Sequence, residues 1–126
     1  MKELQHKDKE LLLKDLCARL PYEVKIELMP ITKGKCTTLT PIILRDYYIS
    51  DDVNYLPYLR PMSSMTEEEK EEYHKLCDKY YDIYFNSVES IDWLNAHHFD
   101  YRGLIGKSLA IEAPKGMYNE TNTEKI

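Results

Sequence analysis

The sequence lacks any long run of apolar residues. Its longest apolar runs, among them Leu11–Leu13 and Ile42–Leu44, are three residues long, far short of the roughly 20 residues that cross a bilayer. The first ten residues are charged and hold no apolar segment of the kind found in a signal peptide. We therefore expect a cytoplasmic protein that does not associate with membranes.

Cysteine is scarce and its spacing is not that of a metal or redox site. The chain has three cysteines, Cys17, Cys36 and Cys77, which are far apart and form no C-x-x-C pair. This pattern indicates neither a zinc knuckle nor a dithiol redox centre. We expect buried, reduced thiols, with neither a bound metal nor a cofactor.

Glycine is also scarce, and the motifs that would name a reaction are missing. Gly103 and Gly106 belong to neither a phosphate-binding loop nor a dinucleotide-binding fingerprint. No G-x-S-x-G nucleophile motif occurs. The sequence therefore assigns no catalytic residue.

The composition is that of a globular chain. Apolar residues make up 43% and charged residues 31% of the 126 positions, which predicts one folded domain. We assign residues 1–114 to this domain and residues 115–126 to a flexible polar tail.

The net charge of −5 is distributed unevenly. Residues 1–45 carry nine Lys or Arg and six Asp or Glu, whereas the rest carry eight and sixteen. An acidic protein repels phosphate, so nucleic acid is disfavoured as a partner. A local nucleic-acid contact through the basic N-terminal part stays a minor alternative.

In the first half of the chain the apolar spacing predicts a helix followed by strands. Apolar positions 13, 16, 17 and 20 predict a helix over 8–20, which Pro21 ends. Strict alternation predicts a half-buried strand over 22–28 with Val24, Ile26 and Leu28 inward. We expect a turn over 30–35, one or two strands over 36–49 bent at Pro41, and an irregular connector over 53–65.

The second half predicts mainly helices. Thr66-Glu67-Glu68-Glu69 is a capping box, and apolar spacing from Tyr73 to Tyr84 extends the predicted helix over 66–84. A shorter helix capped by Ser87 or Ser90 reaches about His97, and a last short strand ends near Ile111. This order predicts an α+β fold, with a small, mainly antiparallel sheet packed by about three helices.

Polar side chains cluster in the segment that follows the last predicted helix. They are His97, His98, Asp100, Tyr101 and Arg102. His98 and Asp100 could share a metal or perform acid–base chemistry, although nothing nearby completes a ligand set. The alternative interpretation is that this segment is the end of a helix. The histidines would then bind the last carbonyls of that helix, and Asp100 would pair with Arg102 to fix a turn.

Tyrosine is enriched: the chain has eleven, against two Phe and one Trp. Tyrosine suits surfaces that are wet when free and buried when bound. A candidate binding surface comprises Tyr47, Tyr48, Tyr55, Tyr58 and Arg60. In the alternative, these tyrosines line the edge of the core with their hydroxyls in water.

Three segments resemble a known group of proteins. They are KDLCARLPY at 14–22, PYLRPMSSMTEE at 57–68 and DWLNAHHFDYRGLI at 92–105. They resemble a family of small uncharacterised proteins encoded by gut anaerobes, their prophages and mobile elements, and the resemblance covers most of residues 11–118. The resemblance implies a prokaryotic or phage protein with an accessory role. Because the family has no assigned activity, the resemblance identifies no site residue.

The expected function is therefore non-catalytic. We expect an interaction module that binds another protein, or a second copy of itself, through the tyrosine-rich surface or the 97–102 segment. The alternative is a small metal-assisted hydrolase that uses His97, His98 and Asp100.

Overall fold

The computed structural model describes residues 6–29, 36–49, 54–80, 83–85 and 88–118. The predicted turn over 30–35 lies outside these ranges. So does the predicted tail beyond Tyr118, and the boundary of the domain at residue 114 stays a prediction. None of the helices within the described ranges is long and apolar enough to cross a membrane.

The first helix forms where it was predicted, but its buried face includes two charged residues that the sequence pattern did not indicate. Helix α1 spans His6–Arg19 and continues into a 3-10 turn over Leu20–Tyr22, with Pro21 in that turn. Its fully buried residues are Leu12, Asp15, Leu16 and Arg19, whereas Cys17 is exposed. Of the predicted stripe, Leu16 is buried and Leu13 and Leu20 pack partly buried against the core, so the prediction fails at Cys17. Asp15 and Arg19 can be buried because they pair with each other.

The main sheet has four strands and mixed direction. Strands β1 (Lys25–Met29), β2 (Cys36–Thr38), β3 (Asn54–Leu59) and β6 (Ile111–Glu112) lie in the order β2-β1-β3-β6. β1 pairs antiparallel with β2 and β3, whereas β3 pairs parallel with β6. The α+β class is confirmed, and the sheet is mixed rather than purely antiparallel.

The predicted alternation over 22–28 is confirmed for Val24 and Ile26, whereas the side chain of Leu28 lies outside the described part of the structure. Val24 and Ile26 are fully buried, as predicted. Glu27 was predicted to face water, but it is buried and accepts a hydrogen bond from the Tyr58 hydroxyl. The second face of β1 is therefore also covered at this point.

The segment after Thr40 is a helix, not a strand. Helix α2 spans Pro41–Ile49. Pro41 opens it, a position where the missing N–H costs no hydrogen bond. The Thr40 hydroxyl accepts the backbone N–H of Ile43 at 3.2 Å, and the Thr40 carbonyl accepts that of Leu44 at 2.9 Å. These start signals outweigh the strand preference of a segment rich in Ile and Tyr.

The predicted connector contains the central strand of the sheet. β3 runs through Pro57, which lies opposite Ile26 of β1. A proline lacks the N–H that a strand needs. The pairing with β6 starts only at Tyr58, so no hydrogen bond from residue 57 is required on that side.

Helix α3 begins as predicted and ends early. It spans Glu67–Leu76, and both hydrogen bonds of the capping box between Thr66 and Glu69 form. The predicted continuation to residue 84 is wrong, because strands β4 (Asp78–Tyr80) and β5 (Ile83–Phe85) pair antiparallel there. Tyrosine and isoleucine favour strands, which explains why the segment leaves the helix.

Helix α4 spans Val88–Ala96, close to the predicted shorter helix. It ends in a Schellman motif: the Phe99 N–H donates to the Leu94 carbonyl at 2.9 Å and the His98 N–H donates to the Asn95 carbonyl at 3.1 Å. His98 takes the left-handed position, with φ at 64°. Glycine usually occupies this position.

Candidate functional site

A mainly apolar groove lies between α1 and α2. Its volume is about 560 Å³, and it is lined by Glu10, Leu13, Lys14, Cys17, Leu20, Pro41, Leu44, Arg45 and Tyr48; we call it the α1/α2 groove. Tyr48 is 69% exposed, as is Ile49, and Ile42 is 63% exposed. Large apolar side chains grouped on a surface often mark an interaction site.

The charged side chains at the rim of the α1/α2 groove are of both signs. Lys14 and Arg45 are exposed, and Arg45 contacts Asp46 at 3.3 Å in a surface ion pair. Such exposed pairs contribute little stability. Glu10, the third charged residue of the groove, also lies exposed on α1. The cationic side chains at the rim are therefore accessible to a partner.

A second concavity is polar and lies between α3 and α4. Its volume is about 660 Å³, and it is lined by Arg60, Thr66, Glu68, Glu69, Glu71, Glu72, Lys75, Ala96, His97, His98 and Tyr118; we call it the α3/α4 cleft. Glu68, Glu71 and Glu72 are exposed. The cleft thus combines several carboxylates with two imidazoles.

A buried ion pair forms part of the wall of the α3/α4 cleft. Arg60 and Glu69 meet at 2.7 Å, and the Arg60 guanidinium also lies over the Phe99 ring at 4.1 Å from its centroid. Burial raises the pKa of Glu69, but hydrogen bonds from Arg60 and the Thr66 N–H outweigh this and lower it below its usual value. Glu69 is therefore a structural carboxylate.

His97 has a defined orientation in the cleft. Its Nδ1 lies 2.9 Å from the Trp93 carbonyl, and its ring stacks on the Trp93 indole with centroids 4.1 Å apart. A carbonyl only accepts, so Nδ1 carries the hydrogen. In the neutral imidazole, Nε2 is then left as an acceptor. This contact confirms the expectation that a histidine binds one of the last carbonyls of the helix.

His98 is buried between its neighbours. Its ring stacks on Tyr118 with centroids 3.7 Å apart, and only 8% of the residue is exposed. Within the described part of the chain its buried Nδ1 has no hydrogen-bond partner. Burial, assisted by the nearby charges of Arg19, His97, Arg60 and Lys25, lowers the pKa of His98 to about 3, so the ring is neutral near pH 7.

Asp100 fixes the turn that follows. Its carboxylate accepts the backbone N–H groups of Leu104 at 2.8 Å and Ile105 at 3.0 Å. The predicted pairing of Asp100 with Arg102 is wrong, because Arg102 Nε donates to Asp15 Oδ1 at 3.0 Å. The Tyr101 hydroxyl donates to Asn95 and accepts from Arg102. The turn is thereby attached to α1 and α4.

The four tyrosines of the predicted binding surface do not share one surface. Tyr47 and Tyr55 are buried and stacked on each other, with ring centroids 4.9 Å apart. Tyr58 is also buried beside Glu27. Tyr48 is exposed and lines the α1/α2 groove.

The prediction that the cysteines are buried is wrong for two of the three. All three are free, but Cys17 and Cys36 are exposed and Cys77 alone is buried. Cys17 lies on α1, where it lines the α1/α2 groove, and Cys36 lies on β2, at the edge of the sheet. In the described ranges no group of three or more His, Cys, Asp or Glu side chains could hold a metal ion.

Comparisons with protein-family models, with curated proteins and with solved structures gave no match. The resemblance of the three segments to a family of small proteins stays a prediction. The function is therefore argued from the α1/α2 groove and the α3/α4 cleft.

Sequence reasoning missed most of the residues that line these two concavities. The signal for the groove was the number of leucines in α1 and the turn that follows it: Leu11, Leu12, Leu13, Leu16 and Leu20 are more than one face can bury. For the cleft, the signal was the i, i+4 spacing of Glu68 and Glu72, which places both on one side of α3.

Proposed function

We propose that this chain is a non-catalytic, cytoplasmic accessory protein that binds another protein through the α1/α2 groove. The supporting observation is the groove itself, an apolar concavity whose lining includes the exposed Tyr48. Ile42 and Ile49 of the same helix, α2, are exposed as well. Proteins that expose such a surface commonly use it for association.

The partner segment that fits best is an amphipathic helix with acidic residues beside its apolar face. A groove between two helices accepts such a helix through side chains spaced three and four residues apart. Lys14 and Arg45 at the rim are exposed cations, and carboxylates on the partner would complement them. Tyr48 provides a large apolar contact with a polar end.

The two exposed native cysteines allow binding at the groove to be tested without engineering a reactive site into the protein. Cys17 lines the groove, whereas Cys36 is exposed on β2 outside it. The complex is isolated from the native host, and the rate of alkylation by iodoacetamide is measured at both thiols in the free and bound protein. We expect the partner to protect Cys17 and to leave Cys36 reactive.

A pair of variants makes the test specific. Tyr48→Ala removes a contact of the groove, and Val88→Ala removes an exposed apolar side chain of α4 that does not line it. We expect Tyr48→Ala to weaken co-purification of the partner by about tenfold, as is common for a central aromatic contact, and Val88→Ala to leave it unchanged. Equal protection of both cysteines, or equal behaviour of both variants, would exclude the groove as the binding surface.

A further inference from the structure

The α3/α4 cleft presents more hydrogen-bond acceptors than donors. Glu68 and Glu71 are exposed and form no ion pair within the described ranges, and Glu72 accepts from the Trp93 indole at 3.2 Å. Of the two cationic side chains in the lining, Arg60 is already paired with Glu69. The negative charge in the cleft is therefore only partly compensated.

The imidazoles of His97 and His98 provide further hydrogen-bond acceptors in the cleft. The Nδ1 of His97 donates to the Trp93 carbonyl, so its Nε2 can accept. His98 is more than nine-tenths buried and lines the cleft, and its buried Nδ1 has no hydrogen-bond partner among the described residues. A buried polar ring without a partner is costly, which suggests that a ligand supplies the missing contact.

His98 has a backbone conformation that is unusual for a residue other than glycine. The residue occupies the left-handed turn at the end of α4, with φ at 64°, where glycine would form the Schellman motif without strain. A histidine held there contributes its ring to the cleft. Its low pKa keeps that ring neutral, so it does not repel a cation.

We propose that the α3/α4 cleft binds an organic cation carrying an ammonium or guanidinium group. Glu68 and Glu71 supply the opposite charge, and the imidazoles of His97 and His98 accept N–H hydrogen bonds from the ligand. The volume of about 660 Å³ lies in the range typical of small-ligand sites. This proposal is independent of the α1/α2 groove.

An organic cation fits the cleft better than a metal ion. A metal requires several ligands that converge on one point, and among the described side chains no such group occurs. A cation with several N–H groups can instead contact acceptors that are spread along the two helices. A free polyamine and an Arg side chain of another protein share this chemistry.

Isothermal titration calorimetry distinguishes these two sources. The probes are spermidine and a short arginine peptide blocked at both ends. We expect saturable binding of at least one probe; binding of spermidine alone assigns free polyamines, and binding of the peptide alone assigns protein side chains. Absence of saturable binding of both probes overturns the proposal.

Charge variants on α3 distinguish binding in the cleft from a nonspecific attraction of the cationic probe to the acidic protein. The double variant Glu68→Gln/Glu71→Gln changes exposed residues of α3 and should fold normally, which circular dichroism checks. We expect its affinity to fall by about tenfold, the scale of losing a nearby opposite charge. Glu67→Gln, on the same helix but outside the lining, should bind like the parent chain. An equal loss in Glu67→Gln contradicts the proposal.

A separate variant tests the contribution of the His98 ring to binding. Glycine suits the backbone at this position, so His98→Gly removes the ring and retains the turn. We expect binding several-fold weaker than in the parent chain, with circular dichroism unchanged. Unchanged affinity in the folded variant also overturns the proposal.

Discussion

Arg60 donates one hydrogen bond to each carboxylate oxygen of Glu69, from Nη2 to Oε1 at 2.7 Å and from Nη1 to Oε2 at 3.0 Å. The same Oε1 accepts the backbone N–H of Thr66 at 2.9 Å. One carboxylate therefore caps α3 and connects this helix to the residue that follows β3. Both side chains are buried, so neither can exchange its partner for water at low cost.

We predict that Glu69→Gln destabilises the protein by about 2 to 4 kcal/mol, because it leaves a buried guanidinium without its counter-charge. Urea denaturation measures the change in the free energy of unfolding. Glu67→Gln is the matched control: Glu67 is an exposed residue on the same helix, and its removal should cost less than about 0.5 kcal/mol. A similar small change in both variants would show that the Arg60–Glu69 pair contributes no net stability.

The pH dependence of stability should depend on His98. Its pKa is about 3 in the folded protein, against an ordinary value of 6.5, so below pH 6.5 the unfolded chain binds a proton that the folded chain does not. The free energy of unfolding should then fall as the pH decreases from 7 to 4, by roughly 2 to 3 kcal/mol. Urea denaturation at a series of pH values measures this slope.

His98→Gly identifies the source of that slope. This variant lacks the titrating ring, so its stability should change much less between pH 7 and 4. Glu69 is present in both proteins: its folded pKa lies below its ordinary value of 4.5, so its contribution starts to be lost only below about pH 5 and is the same in the variant and the parent chain. Parallel profiles for the variant and the parent chain would disprove the role of His98.

Local signals with a clear physical cause were predictable from the sequence. The capping box of Thr66 and Glu69 needs only residues three positions apart, and both of its hydrogen bonds form. Val24 and Ile26 are buried as their alternation requires. The α+β class followed from the order of these segments.

Features that depend on tertiary contacts were not predictable. Pro57 argues against a central strand, and it is accommodated only because β6 pairs with β3 from the next residue onward. Asp15 and Arg19 look like exposed residues of α1, yet both are fully buried because they pair with each other. The α3/α4 cleft depends on how the two helices pack, which no local pattern encodes.

The start of α2 can be tested at Thr40. We predict that Thr40→Ala destabilises the protein by about 1 kcal/mol, because the Ile43 N–H loses its side-chain acceptor. Thermal denaturation followed by circular dichroism measures the change. Thr40→Ser retains the hydroxyl and should behave like the parent chain. Equal loss in the alanine and serine variants would indicate that the threonine methyl group, not the cap, is responsible.

Asp15 is the residue that attaches the 99–105 turn to α1. Its two carboxylate oxygens accept separately, Oδ2 from Arg19 Nε at 2.8 Å and Oδ1 from Arg102 Nε at 3.0 Å. Arg19 Nη2 in turn donates to the Phe99 carbonyl at 2.7 Å. Removal of the Asp15 carboxylate would leave two guanidinium groups close together with less compensating charge.

We predict that Asp15→Asn lowers the free energy of unfolding by about 3 kcal/mol, the scale measured when one partner of a buried pair is removed. Urea denaturation gives the value, and Asp92→Asn, on an exposed position of α4, is the control with the same change of charge.

Because Asp15 holds the segment that leads from His98 to the core, Asp15→Asn should also accelerate backbone amide exchange at Leu104 and Ile105. Unaltered exchange at these amides would show that Asp100 alone fixes the turn.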